Sequence, residues 1–338
     1  MLLGAMGAAL VRGVQRHVMA CAKHFALNSM ENARFTVDVA VDERALHEVY
    51  LPHFRQVVEE GAAGIMSAYN AVNGEWCGQH PVLLTEVLRE EWGFEGIMIS
   101  DFVFGLRDAA ASLAAGPDVE ASFRPQRALH LPDDLAAGRA RWEDVDRSAL
   151  RILTTQLRFA ARHHDVPAPG PEVVACAAHR ALARTADPDG ADSAAPDGPL
   201  ADTGANLIGS FSTGGDRDRP TLHPEDEELV LAVADAHPRT VVGVVTAGAV
   251  LTGRRRHRVP ALLMLWYAGM EGGNALADVL LGRCDAAGRL PFSVPEHTDH
   301  LPPFDRDARI AHYDLWHGQR LLDRRGRHLP GRGRGPPR

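Results

Sequence analysis

The sequence predicts an α/β fold: an incomplete β/α barrel followed by a second, smaller α/β layer. Three observations carry this. Strand-like and helix-like segments alternate through the first 165 or so residues at the rhythm of parallel β/α units. From about Ala168 to Pro199 the chain turns to linker composition, rich in Ala, Asp, Gly and Pro ("TADPDGADSAAPDGPLAD"). Beyond it the alternation of helix and buried strand resumes.

Taken in order, "MLLGAMGAALVRGVQRHV" lacks the basic segment that opens a signal peptide, and its Arg12 and Arg16 fit an amphipathic helix. "HVMACAKHFAL" reads as a short strand ending at Lys23 and His24, and "DERALHEVYLPHFRQVVEEG" has helical spacing. "AAGIMSAYN" is a strand ending near Tyr69, "LLTEVLREEWGF" a helix, "GIMISDF" a strand ending at Asp101, "LRDAAASLAAG" a helix, and "PDVEAS" a last short strand. A closed barrel needs eight strands and about 250 residues. Only four strands are legible here, so this part reads as the second half of a barrel. After the linker come an amphipathic helix, "HPEDEELVLAVADAHP", two buried strands, "RTVVGVVTAG" and "ALLMLWYAG", and a glycine-stopped helix, "EGGNALADVLLG".

Composition narrows the function classes. The chain has 338 residues, 45% hydrophobic and 24% charged, with a formal charge of −8, so it carries no overall basic field for nucleic acid. No apolar run approaches the roughly 18 residues of a membrane span. Four widely spaced cysteines, Cys21, Cys77, Cys176 and Cys284, suggest neither a disulfide framework nor a cysteine zinc site. Cys176 and His179 have no second ligand pair, and "GRGRG" has no strand before it or helix after it. "RRRHR", residues 254–258, is expected to be a solvated loop.

In β/α barrels the chemistry sits at the carboxyl ends of the strands. Polar residues stand at those ends here: Lys23 and His24, Tyr69 and Asn70, Asp101, then Asp118 and Glu120. Asp101 ends a buried run and is followed by Phe102. Spacing alone leaves two readings equal, a helix cap or a functional carboxylate. Asp118 and Glu120 suit either ligand contact or support of the barrel floor, and they are left out of the expected site.

Several ordered motifs resemble glycoside hydrolase family 3, the β-glucosidase family: "KHFALNSMENARFTVDVAVDERALHEVYLPHF", "GIMSAYNAVNG", "LLTEVLREEWGFEGIMISDF" and "AGPDVE", then "GGDRDRPTLHPEDEELV", "LWYAGMEGGNALADVLLG" and "GRLPFSVP". The resemblance implies a partial TIM-type barrel over residues 1–165, a linker over 166–205, an incomplete α/β sandwich domain over 206–323 and a basic, disordered tail over 324–338. It also implies retaining hydrolysis of a terminal β-linked sugar. Asp101 matches the catalytic nucleophile of the "SD"-aromatic motif, and Lys23 and His24 match sugar-contacting residues. Tyr69 matches the tyrosine beside the nucleophile, with Ala68 extra in its motif, and Phe102 would wall the sugar site.

No cofactor or metal is implied. The implied partner is a β-glucoside or oligosaccharide, with neither nucleic acid nor membrane. The family's acid/base is a glutamate in a loop before "GGDR", whereas "LADTGANLIGSFSTGGDR" contains none, with Thr203 and Ala205 near the expected place. Glu225, Glu227 and Glu228 read as the solvated face of the following helix. The missing barrel opening, the missing first strand of the second domain and the basic end are expected to reflect truncation, internal deletion and a change of reading frame. An open half-barrel exposes strand edges that an oligomer would cover.

Overall fold

The computed structural model describes all residues except 1, 122–125, 164, 167–169, 187–215, 217–219, 247, 252, 254, 289, 291 and 327–338. The chain divides into two compact units. One comprises Met1–Ala168 with Asp305–Leu315, and the other Pro169–Phe304 with Trp316–Arg338.

The first unit is built on a parallel three-stranded sheet, β1 (Cys21–Phe25), β3 (Gly64–Ser67) and β6 (Ile97–Ile99), in the order β1-β3-β6. All four residues of β3 are buried, as befits a central parallel strand covered on both faces. Helix α1 (Leu2–Val14) packs on α3 (Pro52–Glu59). The approach is close: a Cβ on Gly4 would stand 3.0 Å from His53 Cα, and one on Gly7 3.0 Å from Val57 Cγ2. The segment read as one helix is broken into α2 (Glu43–Ala45), a π-helical stretch (Leu46–Tyr50) and α3, and Val82–Glu91 is also π-helical. Their apolar faces join β1, β3 and β6 in one core. Phe25 at its centre meets Phe54 edge-on at 5.2 Å and Trp92 at 5.9 Å.

A second sheet was not anticipated. β2 (Asp38–Val41) pairs in parallel with both β4 (Ala71–Val72) and β9 (Ile310–Tyr313), and β4 forms a hairpin with β5 (Glu75–Trp76). The hairpin turns on Asn73 and Gly74, both with positive φ, the Asn-Gly chemistry of a tight turn. Asn73 also clamps β2 through Val41 N (2.9 Å) and Val41 O (3.0 Å). Residues 305–315, placed by the sequence in the second domain, return through β9 to the first unit.

The predicted strand "PDVEAS" is reduced to a single bridge between Ile99 and Val119. The Asp118 side chain accepts the Met98 N–H (2.8 Å), and backbone bonds from Val119 N to Met98 O (3.0 Å) and from Ser100 N to Val119 O (2.9 Å) hold the segment beside β6. The helix expected before this segment is α4 (Ala109–Ala115). The region after it, for which the sequence suggested no elements, holds α5 (Gln126–Ala136) and α6 (Trp142–His163).

In the second unit, strands β7 (Val241–Val244) and β8 (Ala261–Met264) pair in parallel. A helix, Pro224–Ala236, covers them through Val230 and Ala234. The expectation of a solvated "RRRHR" loop is corrected here. Arg255 is 1% exposed, facing Glu227 at 3.7 Å, while Arg256 and Arg258 pair with Glu296 and Asp235. Glu227 accordingly is not part of a purely solvated helix face. The linker and basic tail fall largely outside the described residues, as do Thr203, Ala205 and the rest of the segment expected to supply an acid. Among the described residues no helix is long and apolar enough to cross a membrane.

Candidate active site

Strand β6 carries Met98 and Ile99 into the sheet and delivers Ser100 and Asp101 at its carboxyl end. The turn that follows is compact. Ala121 N–H donates to Ser100 Oγ (2.9 Å), Val103 adopts a positive φ, and Gly105 lies directly on the Asp101 backbone. A Cβ at Gly105 would stand 2.3 Å from Asp101 O, so only glycine permits this approach.

The result is a carboxylate 3% exposed on a rigid strand end. Its Oδ1 accepts the Phe102 N–H at 2.8 Å. Oδ2 has His24 Nε2 3.4 Å away but no well-formed hydrogen bond. The helix-cap reading is answered by Asp108, whose Oδ1 accepts the Ala111 N–H (2.7 Å) at the start of α4.

Strand β1 brings Lys23 and His24 to the same end of the sheet as Asp101, with Lys23 exposed and His24 half-buried. The Lys23–His24 and Phe25–Ala26 peptide bonds are cis. Burial pushes the His24 imidazole below its ordinary value, and the Asp101 charge only partly opposes this. Tyr69, beyond β3, donates to Phe102 O (2.8 Å), and its phenol lies beside the Asp101 carboxylate. Burial, then the neighbouring Asp101 charge, holds the phenol well above the ordinary tyrosine range. Asn70 Nδ2 donates to Ala26 O (3.3 Å) and ties this strand end to the turn after β1. Phe102 presents an exposed ring at the rim.

His24, Tyr69, Asp101 and the Phe102 backbone are therefore in mutual reach, with Lys23 beside them in the chain. Sequence reasoning missed the layer outside them. Phe35 stacks edge-on to Tyr69 (4.7 Å) and Phe104 (5.3 Å), and the Arg34 guanidinium lies 4.8 Å over the Phe35 ring. Their signal was "ENARF", a charged and aromatic run following the "KHF" strand end.

Asp118 and Glu120 do not face this site. Asp118, its side chain fully buried, pairs with Arg89 (2.8 Å) and Arg151 (3.3 Å), and Glu120 accepts the N–H groups of Gln126 and Arg127 at the head of α5. Burial lowers Arg89 to about 10 against the pull of Asp118. A cavity of about 250 Å³ opens at the other end of the strands, between Gln15, Ala63, Gly96 and Arg158, away from Asp101. Among the described residues no three His, Cys, Asp or Glu side chains converge as a metal site would require.

Residues 1–155 match the sequence model for the glycosyl hydrolase family 3 N-terminal domain. A β-glucosidase of Rhizobium radiobacter is 42% identical over 164 residues, 47% of this chain and 20% of that protein. An exo-α-(1→6)-L-arabinopyranosidase of Bifidobacterium breve is 28% identical over 385 residues, 87% of this chain and 50% of that protein. Among solved structures, β-glucosidase 3B of Thermotoga neapolitana, in complex with α-D-glucose, aligns with a TM-score of 0.82 at 23% identity, over 96% of this chain and 62% of that one. At that identity the likeness is one of fold. The chain spans between about a fifth and a half of the length of these two curated relatives.

Proposed function

We propose, from the premise that this chain is a relative of glycoside hydrolase family 3, that its first unit carries the nucleophile half of a retaining β-glycosidase site. In this reading β1, β3 and β6 belong to the second half of a β/α barrel. Residues 206–304 and 316–323 supply part of a sandwich domain, since 305–315 belong to the first unit.

The observation that carries the proposal is the state of Asp101. One oxygen is tied to the Phe102 N–H and the other is buried without a hydrogen bond, facing the side of the site where His24 lies. In the reaction the bond from Asp101 Oδ2 to the anomeric carbon forms as the bond to the leaving oxygen breaks. Water then hydrolyses the glycosyl ester. Lys23, His24 and Tyr69 hold the sugar hydroxyls, and Phe102 walls the site.

The relatives' names suggest the substrate class. β-D-Glucosides and α-L-arabinopyranosides share an equatorial anomeric bond, so a terminal pyranoside of that geometry is the expected ligand.

One observation favours a second reading, sugar binding without turnover. The segment 200–217, where the resemblance places the acid, contains no glutamate. Without a proton donor an alkoxide leaves poorly, whereas dinitrophenolate needs none. A dinitrophenyl 2-deoxy-2-fluoro-β-glucoside therefore tests the nucleophile alone. Intact-mass analysis should show one fluoroglucosyl adduct, mapped to Asp101. A folded protein that stays unlabelled sinks the nucleophile assignment, and labelling without hydrolysis of alkyl glucosides selects the second reading.

A further inference from the structure

We propose that Arg107 is the positioning residue of this site, the group that holds the Phe35–Tyr69 stack against the nucleophile loop. The proposal rests on the nucleophile reading for what the site does, but not for what Arg107 holds.

Arg107 lies two residues beyond Gly105, at the exit of the Asp101 turn. Its Nη2 donates to Phe35 O at 2.8 Å, and its guanidinium stands 4.3 Å over the Trp76 ring. One side chain thus joins three segments that only the fold brings together: the loop after β1, the β4–β5 hairpin and the loop after β6. A further contact fixes the hairpin side of this junction, where Gly78 packs so closely on Gly105 that a Cβ there would stand 2.0 Å from Gly105 O.

The carbonyl that Arg107 grips belongs to the residue whose ring bears on Tyr69 and Phe104. Displacing the Phe35 backbone displaces that ring and removes one wall of Tyr69, whose hydroxyl bonds Phe102 O next to the nucleophile. Arg107 Nε is buried without a hydrogen-bond partner, so the guanidinium is held for its one backbone bond and its aromatic face, not for a full set of bonds. A plain surface arginine would not accept that desolvation. The planar fork also explains the residue type, since it can stack on Trp76 and donate in its own plane at once, which an ammonium cannot do.

Arg107→Met keeps the stem and its packing but loses the bond, and Arg107→Lys keeps a charged donor. Two measurements on the full chain separate the outcomes. In the first, ring-labelled tyrosine is titrated by NMR, with the Tyr69 signal assigned by Tyr69→Phe. The groups facing this phenol are Asp101, which raises its titration, and Arg34, which lowers it.

In Arg107→Met the Tyr69 titration should move down towards the ordinary tyrosine value as the phenol gains water, and Arg107→Lys should restore part of the shift. An unmoved Tyr69 titration in folded Arg107→Met overturns the proposal, whether or not the protein reacts. In the second, the fluoroglucoside labelling constant at saturating probe should fall about tenfold to a hundredfold in Arg107→Met, while the half-saturating concentration changes little. Equal loss in both constants also overturns it. An unlabelled wild type with a displaced Tyr69 titration removes the enzymatic reading and leaves Arg107 as the positioning residue.

Discussion

His24 Nε2 stands 3.4 Å from Asp101 Oδ2, while Asp101 Oδ1 is held by the Phe102 N–H at 2.8 Å. The two carboxylate oxygens are thereby distinguished. Asp101→Asn retains an amide oxygen for the Phe102 N–H, so stability should change by about 1 kcal/mol or less. Fluoroglucosyl labelling should disappear entirely. Mass spectrometry and a melting curve on the same sample check both halves, and residual labelling in the variant would point to another nucleophile.

Burial pushes three imidazoles of the first unit, His24, His53 and His80, below their ordinary value of 6.5. The sign follows from linkage. Between the folded and unfolded values the unfolded chain binds more protons, so stability rises with pH there and is lost as pH falls below about 6.5. His80 has a structural reason as well: its Nδ1 accepts the Leu83 N–H (3.3 Å), which a protonated ring cannot do. His80→Asn keeps an acceptor that does not titrate. Its melting temperature should fall less than that of the wild type between pH 7.5 and 5.5, and identical slopes would remove His80 from the account.

Asp118 is the test of a purely structural carboxylate. Its side chain is fully buried, it faces Arg89 and Arg151, and it also accepts the Met98 N–H. Asp118→Asn leaves a buried guanidinium without its charge partner, at a cost of about 3–5 kcal/mol. Urea denaturation reads this. Where the variant is still folded, labelling of Asp101 should persist, and selective loss of labelling at full stability would instead place Asp118 in the site.

The parts legible in the sequence were those recorded locally. β3 and β6 read as strands because buried parallel strands are unbroken apolar runs, and Asp101 stood out because an acid ended one. The second sheet was illegible because β4 and β5 are two residues each, and β2 finds β9 across the chain at Asp38↔Ile310. No periodicity encodes such a partner. Arg255 within "RRRHR" was misread for a related reason, since a run of charges looks solvated whichever of its members the fold buries. Arg107 was invisible because its role depends on a carbonyl 72 residues away.

Gly105 gives the sharpest separation of site geometry from stability. A methyl group there would stand 2.3 Å from Asp101 O and 2.7 Å from Asp101 N, both backbone atoms that cannot rotate aside. Gly105→Ala can be accommodated only by moving the 101–105 turn, which holds Asp101 at one end and the grip of Arg107 just beyond the other. Residue 105 is buried, but Phe102 and Phe104 on the same turn are exposed, so the turn can shift outward without opening the core. The expected result is a stability loss of about 1–3 kcal/mol together with at least a hundredfold slower labelling. Measuring both on one preparation decides the matter. Labelling at the wild-type rate in Gly105→Ala would show that the position of Asp101 does not depend on this turn.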